Sequence, residues 1–245
     1  MKNDKSIFGS ALIPVLFVIL LWVIHFTALE TGIDLTTYGL YPRSWGGLSG
    51  ILTIPFIHGS WSHLINNSIP LVVLGWALFY FYPTLSWKTI FWIWFSSGIW
   101  LWISGRASYH IGASGIVYGL AAFLFLSGWL RQEKRVASLS LLIAFLYGSM
   151  WWGVLPVDPT ISWEGHLWGA LAGFVLAWVF RKEGIQKEEY QWEEEEEIED
   201  DLTKIALGKI DSSPNVPRPR RIVYVYKEKP KPKEGSGSNA ENETS

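Results

Sequence analysis

Three short stretches hold most of the residues able to do chemistry: HGSWSHLINN at 58–67, HIGASGIVYG at 110–119 and EGHLWGALAG at 164–173. Ser114 and His166 have the types of a nucleophile and its base. Serine is weak alone and needs a hydrogen-bonded imidazole to take its proton as it attacks a carbonyl. Acyl transfer also needs donors where the oxyanion develops. The backbone N–H of Ser114 is one candidate, because amides at a helix start are free. His63 and Asn67, four residues apart on one helical face, are two more. His58 either joins them or lines the cavity. Ser60, Ser62 and Asn66 could hold the water that hydrolysis consumes. No Asp lies in any apolar span, and Glu164 stands two residues from His166, a spacing that does not share a helix face. The pattern predicts a Ser–His dyad without a third member.

The elements that must position these groups are apolar. Of 245 residues 49% are hydrophobic, with 16 Trp, 13 Phe and 10 Tyr. Residues 1–182 carry only six acids (Asp4, Glu30, Asp34, Glu133, Asp158, Glu164), and the other 16 fall in 183–245. There is no Cys, which excludes disulfides, thiolate catalysis and cysteine metal sites. Six segments are apolar enough to cross a bilayer: 8–28, 61–82, 87–104, 114–130, 137–153 and 165–181. The first is longer than a signal-peptide core and reads as a retained helix. The expected fold is therefore an all-α polytopic membrane protein, with a six-transmembrane-helix bundle over 1–182.

In an alternating topology Lys2, Lys5, Lys88, Arg131, Lys134, Arg135, Arg181 and Lys182 share one side, and only Arg43 and Arg106 fall on the other. That bias predicts a cell (inner) membrane protein with both termini cytoplasmic. Trp61, Trp87, Trp151, Trp152 and Trp163 stand near span ends, as interfacial anchors do. The loop from Glu30 to Ser60 is apolar and glycine-rich; it is either sunk in the outer leaflet or an ordinary external loop. Residues 183–245 run from an acid block through a Pro/basic block to a Gly/Ser end. They cannot bury a core and predict a disordered cytoplasmic tail. Its β-prone RRIVYVY segment either docks onto a partner or is merely apolar.

The second, fourth and sixth spans run the same way, so their polar beginnings meet at one depth near the outer face. Polar groups inside a bilayer are costly and face a bundle interior or a wet cavity. Gly115 and Gly119 on one span, and Gly165, Gly169 and Gly173 on another, repeat at four residues, which lets helix backbones approach. Packing these parallel faces together brings Ser114 beside His166. Tyr118, four residues after Ser114, shares its face and can lie against the imidazole. A serine among glycines also serves as a cap or packing device; the conjunction with two His and an Asn at one depth favours chemistry. His110 could line an entrance, and His25 reads as structural.

These residues resemble the rhomboid family of intramembrane serine proteases. The likeness rests on GASG with Tyr118 four residues after Ser114, on HGSWSHLINN and on GHLWGALAG, and covers about 40–180. It implies Ser114 as nucleophile and His166 as general base. It implies His63, Asn67 and the Ser114 amide as the oxyanion hole, with Tyr118 stacked on the imidazole. Gly112 and Gly115 flank the nucleophile in the sequence. The resemblance further implies cleavage of transmembrane protein substrates near their outer ends, within the lipid bilayer, without metal or cofactor. Two positions depart from the family pattern: Gly165 stands where many members carry Ala, and Arg43 and Trp45 replace an adjacent Trp-Arg pair. The alternative is a catalytically inactive rhomboid-like protein that binds transmembrane helices. No internal repeat suggests a transporter, no His-Glu-x-x-His run suggests a zinc protease, and nothing points to nucleic acid.

Overall fold

The computed structural model describes residues 7–132, 134–146, 153–158 and 160–183. All belong to one of the chain's two units, Met1–Glu189. The expected tail with its RRIVYVY segment, from residue 184 onward, lies outside the described residues, as do residues 147–152 of the fifth expected span, Trp151 and Trp152 among them. The longer helices are α1 (Ile7–Thr31), α2 (Trp61–Phe81), α3 (Ser86–Ser104), α4 (Ser114–Leu130), α5 (Lys134–Leu146) and α6 (Trp163–Val179). Among the described residues there is no strand, only one antiparallel bridge between Leu40 and His110. Of these helices, α1 and α2 are long and apolar enough to cross a bilayer.

Several polar groups within the apolar helices are met locally. The Ser60 hydroxyl caps α2 by accepting from the His63 N–H at 3.1 Å, so this serine is a helix cap as well as a cavity residue. Ser68 on α2 donates to the Leu64 carbonyl at 2.7 Å and accepts from the Trp22 indole of α1 at 3.0 Å. One buried guanidinium joins the ends of α4 and α6. Arg131 donates to Ser127 Oγ at 3.1 Å and to the Phe180 and Glu183 carbonyls at 2.5 Å each. It also lies 5.1 Å from the centre of the Tyr82 ring at the end of α2.

Between α1 and α2 the loop packs its apolar side chains inward. Leu40 and Ile51 are buried with Leu101 of α3, while Trp45 and Leu52 are exposed. Indoles of α3 tie it down: Trp94 donates to the Ile51 carbonyl at 2.6 Å and Trp102 to that of Ser44 at 3.0 Å.

At the centre α4 and α6 run parallel in backbone contact. A Cβ added at Gly169 would lie 2.1 Å from the Gly115 carbonyl oxygen, and one at Gly173 would lie 2.1 Å from that of Gly119. A Cβ at Gly119 would also meet Ile93 of α3 at 2.3 Å. No side chain fits this seam. Gly169→Ala and Gly173→Ala are each expected to lower stability by about 1–3 kcal/mol, as overpacking does, read as the unfolding midpoint in detergent. Gly46→Ala, whose Cβ would meet nothing closer than 3.8 Å, should leave that midpoint unchanged.

Candidate active site

The seam fixes α4 and α6 from their first turns, where the polar residues lie. Ser114 is the first residue of α4 and His166 lies in the first turn of α6. Ser114 Oγ is 2.7 Å from His166 Nε2. The other ring nitrogen, Nδ1, is 2.8 Å from the Gly153 carbonyl oxygen. A carbonyl only accepts, so Nδ1 carries the proton and Nε2 is left to accept from the serine hydroxyl. The Tyr118 ring stacks on the imidazole at 4.2 Å between centroids, with 8° between planes. His166 is therefore held on an edge and a face as well as by its own helix.

Opposite the dyad stand the polar residues of α2. Gly112 takes φ +108°, a conformation open to glycine, and its N–H donates to the Ile54 carbonyl at 2.9 Å. A Cβ there would sit 2.5 Å from His63 Nε2 and 3.6 Å from Asn67 Nδ2. Both side chains thus crowd the backbone turn that presents Ser114. Asn67 Nδ2 is buried and has no hydrogen-bond partner, a costly state for a polar donor unless something else occupies it. A cavity of about 650 Å³ is bordered by His63, Asn67, Ser114, Tyr118, Gly153 and His166. Ser62 and Asn66 line it too. Pro70, also on its wall, lacks the N–H that would bond the Asn66 carbonyl.

A family model described as the Rhomboid domain matches residues 45–183. The chain belongs to the rhomboid family. Uncharacterized proteins of Mycobacterium bovis and Mycobacterium tuberculosis are each 34% identical to this rhomboid over 193 residues, covering 73% of this chain and 78% of theirs. One from Mycobacterium leprae is 33% identical over 172 residues, covering 66% and 68%. Membership makes the chain an integral membrane protein of helical architecture, in a family of intramembrane proteases.

Within this rhomboid some sequence expectations need correction. His58 neither reaches the dyad nor lines the cavity: it is buried behind His63, edge-on at 5.0 Å between ring centres. His110 borders the cavity and is fully buried. It holds loops together: Nε2–H donates to the Arg106 carbonyl at 3.2 Å, and Nδ1 accepts from Ser162 Oγ at 2.6 Å. His25 is buried on α1 with its ring edge-on to Trp61 at 4.7 Å. The Gly153 carbonyl has no signature in the sequence, because every residue type carries one. Gly112 carried a signal, a glycine two residues before the serine.

Two measurements test the site. His63→Ala and Asn67→Ala should each lower kcat on the order of 10²-fold, as loss of one oxyanion donor does, and Gly112→Ala should lower it as well by displacing His63. Burial holds the His110 imidazole below its usual 6.5. Unfolded chains take up that proton as pH falls through about 6.5 while folded ones do not, so acidification destabilises the fold. The slope of unfolding midpoint against pH should be shallower in His110→Gln.

Proposed function

We propose that this rhomboid is an active intramembrane serine endopeptidase acting through a Ser114–His166 dyad. One observation carries the reading. The His166 ring has its proton committed to Gly153 on one side and its free lone pair 2.7 Å from the Ser114 hydroxyl on the other. That is the tautomer and distance a general base requires.

As Ser114 Oγ attacks a substrate carbonyl, His166 Nε2 takes the hydroxyl proton and a tetrahedral oxyanion forms. His63 Nε2, Asn67 Nδ2 and the Ser114 N–H receive its charge. Collapse of the intermediate breaks the C–N bond, and the imidazolium gives its proton to the leaving amine. Water from the cavity then attacks the acyl-serine with His166 again as base, releasing the acid and restoring the serine. Tyr118 keeps the ring in plane through both steps. The seam glycines Gly115 and Gly169, with Gly173 below them, set the distance.

In this reading the chain crosses a cell membrane six times with both termini cytoplasmic, supported by the eight-to-two distribution of Lys and Arg. The dyad then lies toward the outer face, and substrates are transmembrane segments cut near their outer ends. Purified wild type, Ser114→Ala and His166→Ala are to be placed in liposomes with a single-span substrate and the products resolved by mass spectrometry. Cleavage near the outer interface by the wild type alone is expected, with both variants folded and at background. If the wild type neither cleaves nor reacts with a serine-directed fluorophosphonate, the chain binds helices without cutting them.

A further inference from the structure

Glu164 is a buried carboxylate that the dyad does not use. It sits in the first turn of α6, two residues before His166, and does not line the cavity. Oε1 is 3.3 Å from the Arg106 backbone nitrogen, which donates to it, and 3.5 Å from Arg106 Nε. Oε2 is buried without a hydrogen-bond partner. An incompletely satisfied carboxylate is expensive to bury, so what it touches matters.

Arg106 is the second residue of the loop 105–113 that leads directly to Ser114. The same guanidinium donates to the Ile161 carbonyl. Further along that loop His110 accepts from the Ser162 hydroxyl and donates back to the Arg106 carbonyl. Ser162 stands at the N-cap of α6 yet makes no side-chain capping bond, its hydroxyl going to His110 instead. Thus the segment 161–164 that precedes the base is stitched to the loop that precedes the nucleophile. Gly165 belongs to this arrangement: a Cβ there would lie 2.8 Å from Ser162 Oγ. The small residue at 165 leaves room for the hydroxyl that holds His110.

We propose that Glu164, through Arg106 and with the Ser162–His110 pair beside it, is a positioning residue that sets the Ser114–His166 distance from the outer end of α4 and α6. The seam sets the register of the two helices below. The stitch holds the loop that carries Gly112 and the Ser114 amide against the start of α6. Gln at 164 retains an oxygen for Arg106, whereas Ala removes it. The proposal rests on the dyad reading.

Wild type, Glu164→Ala, Glu164→Gln and Ser162→Ala are to be compared in liposomes. The readouts are kcat and KM on a single-span substrate, the rate of Ser114 labelling by a fluorophosphonate, and the unfolding midpoint. Glu164→Ala should lose kcat and labelling rate on the order of 10²-fold, the cost of about 1 Å of misplacement, with KM unchanged. Glu164→Gln should recover most of both, and Ser162→Ala should show a smaller loss in the same two quantities. If Glu164→Ala does not fold, Ser162→Ala decides. Wild-type kinetics in the deciding variant, or a loss in KM alone, would overturn the proposal while leaving the dyad intact. An unlabelled and inactive wild type would instead overturn the dyad.

Discussion

Backbone contact between α4 and α6 is the constraint on which the rest depends. Within a bilayer two apolar helices gain little from hiding from lipid that is as apolar as they are, so close packing must supply the attraction. The carbonyls of Gly115 and Gly119 face Gly169 and Gly173 with no room for even one methyl group. Such an approach admits Cα–H···O contacts and dense dispersion between backbones. It also locks register. Because Ser114 begins one helix and His166 lies in the first turn of the other, a register set at the glycines becomes a 2.7 Å contact at the top.

The same pair is closed at both ends by polar groups. At the end of α4 and α6 Arg131 donates to the carbonyls of Phe180 and Glu183 and lies over Tyr82. At the start, Arg106, Glu164, His110 and Ser162 join the approaching loop to α6. Helix ends leave several backbone groups without partners. Arg131 meets such groups at the end of α6, whereas neither Ala113 nor Ser162 caps the start of α4 or α6 through its side chain.

The cavity follows from where polar residues are left uncovered. In α2, Asn67 keeps an unpartnered buried amide, Pro70 frees a carbonyl, and Ser62 and Asn66 face the same space. Together with Ser114 and His166 these groups border about 650 Å³ of open space.

Much of this was legible from the chain alone wherever helical geometry turns spacing into position. Residues four apart share a face, so Ser114 with Tyr118, His63 with Asn67, and the glycine rows could be read as pairs. Charge pattern and apolar length outlined the helices. Only the tertiary structure decided what depended on the path of a loop. It put the Gly153 carbonyl on His166, buried His58 behind His63, turned His110 inward, and joined Glu164 to Arg106 across 58 positions. Loops have no fixed period, and a carbonyl belongs to every residue type. Which backbone group meets which side chain is therefore fixed only when the helices have packed.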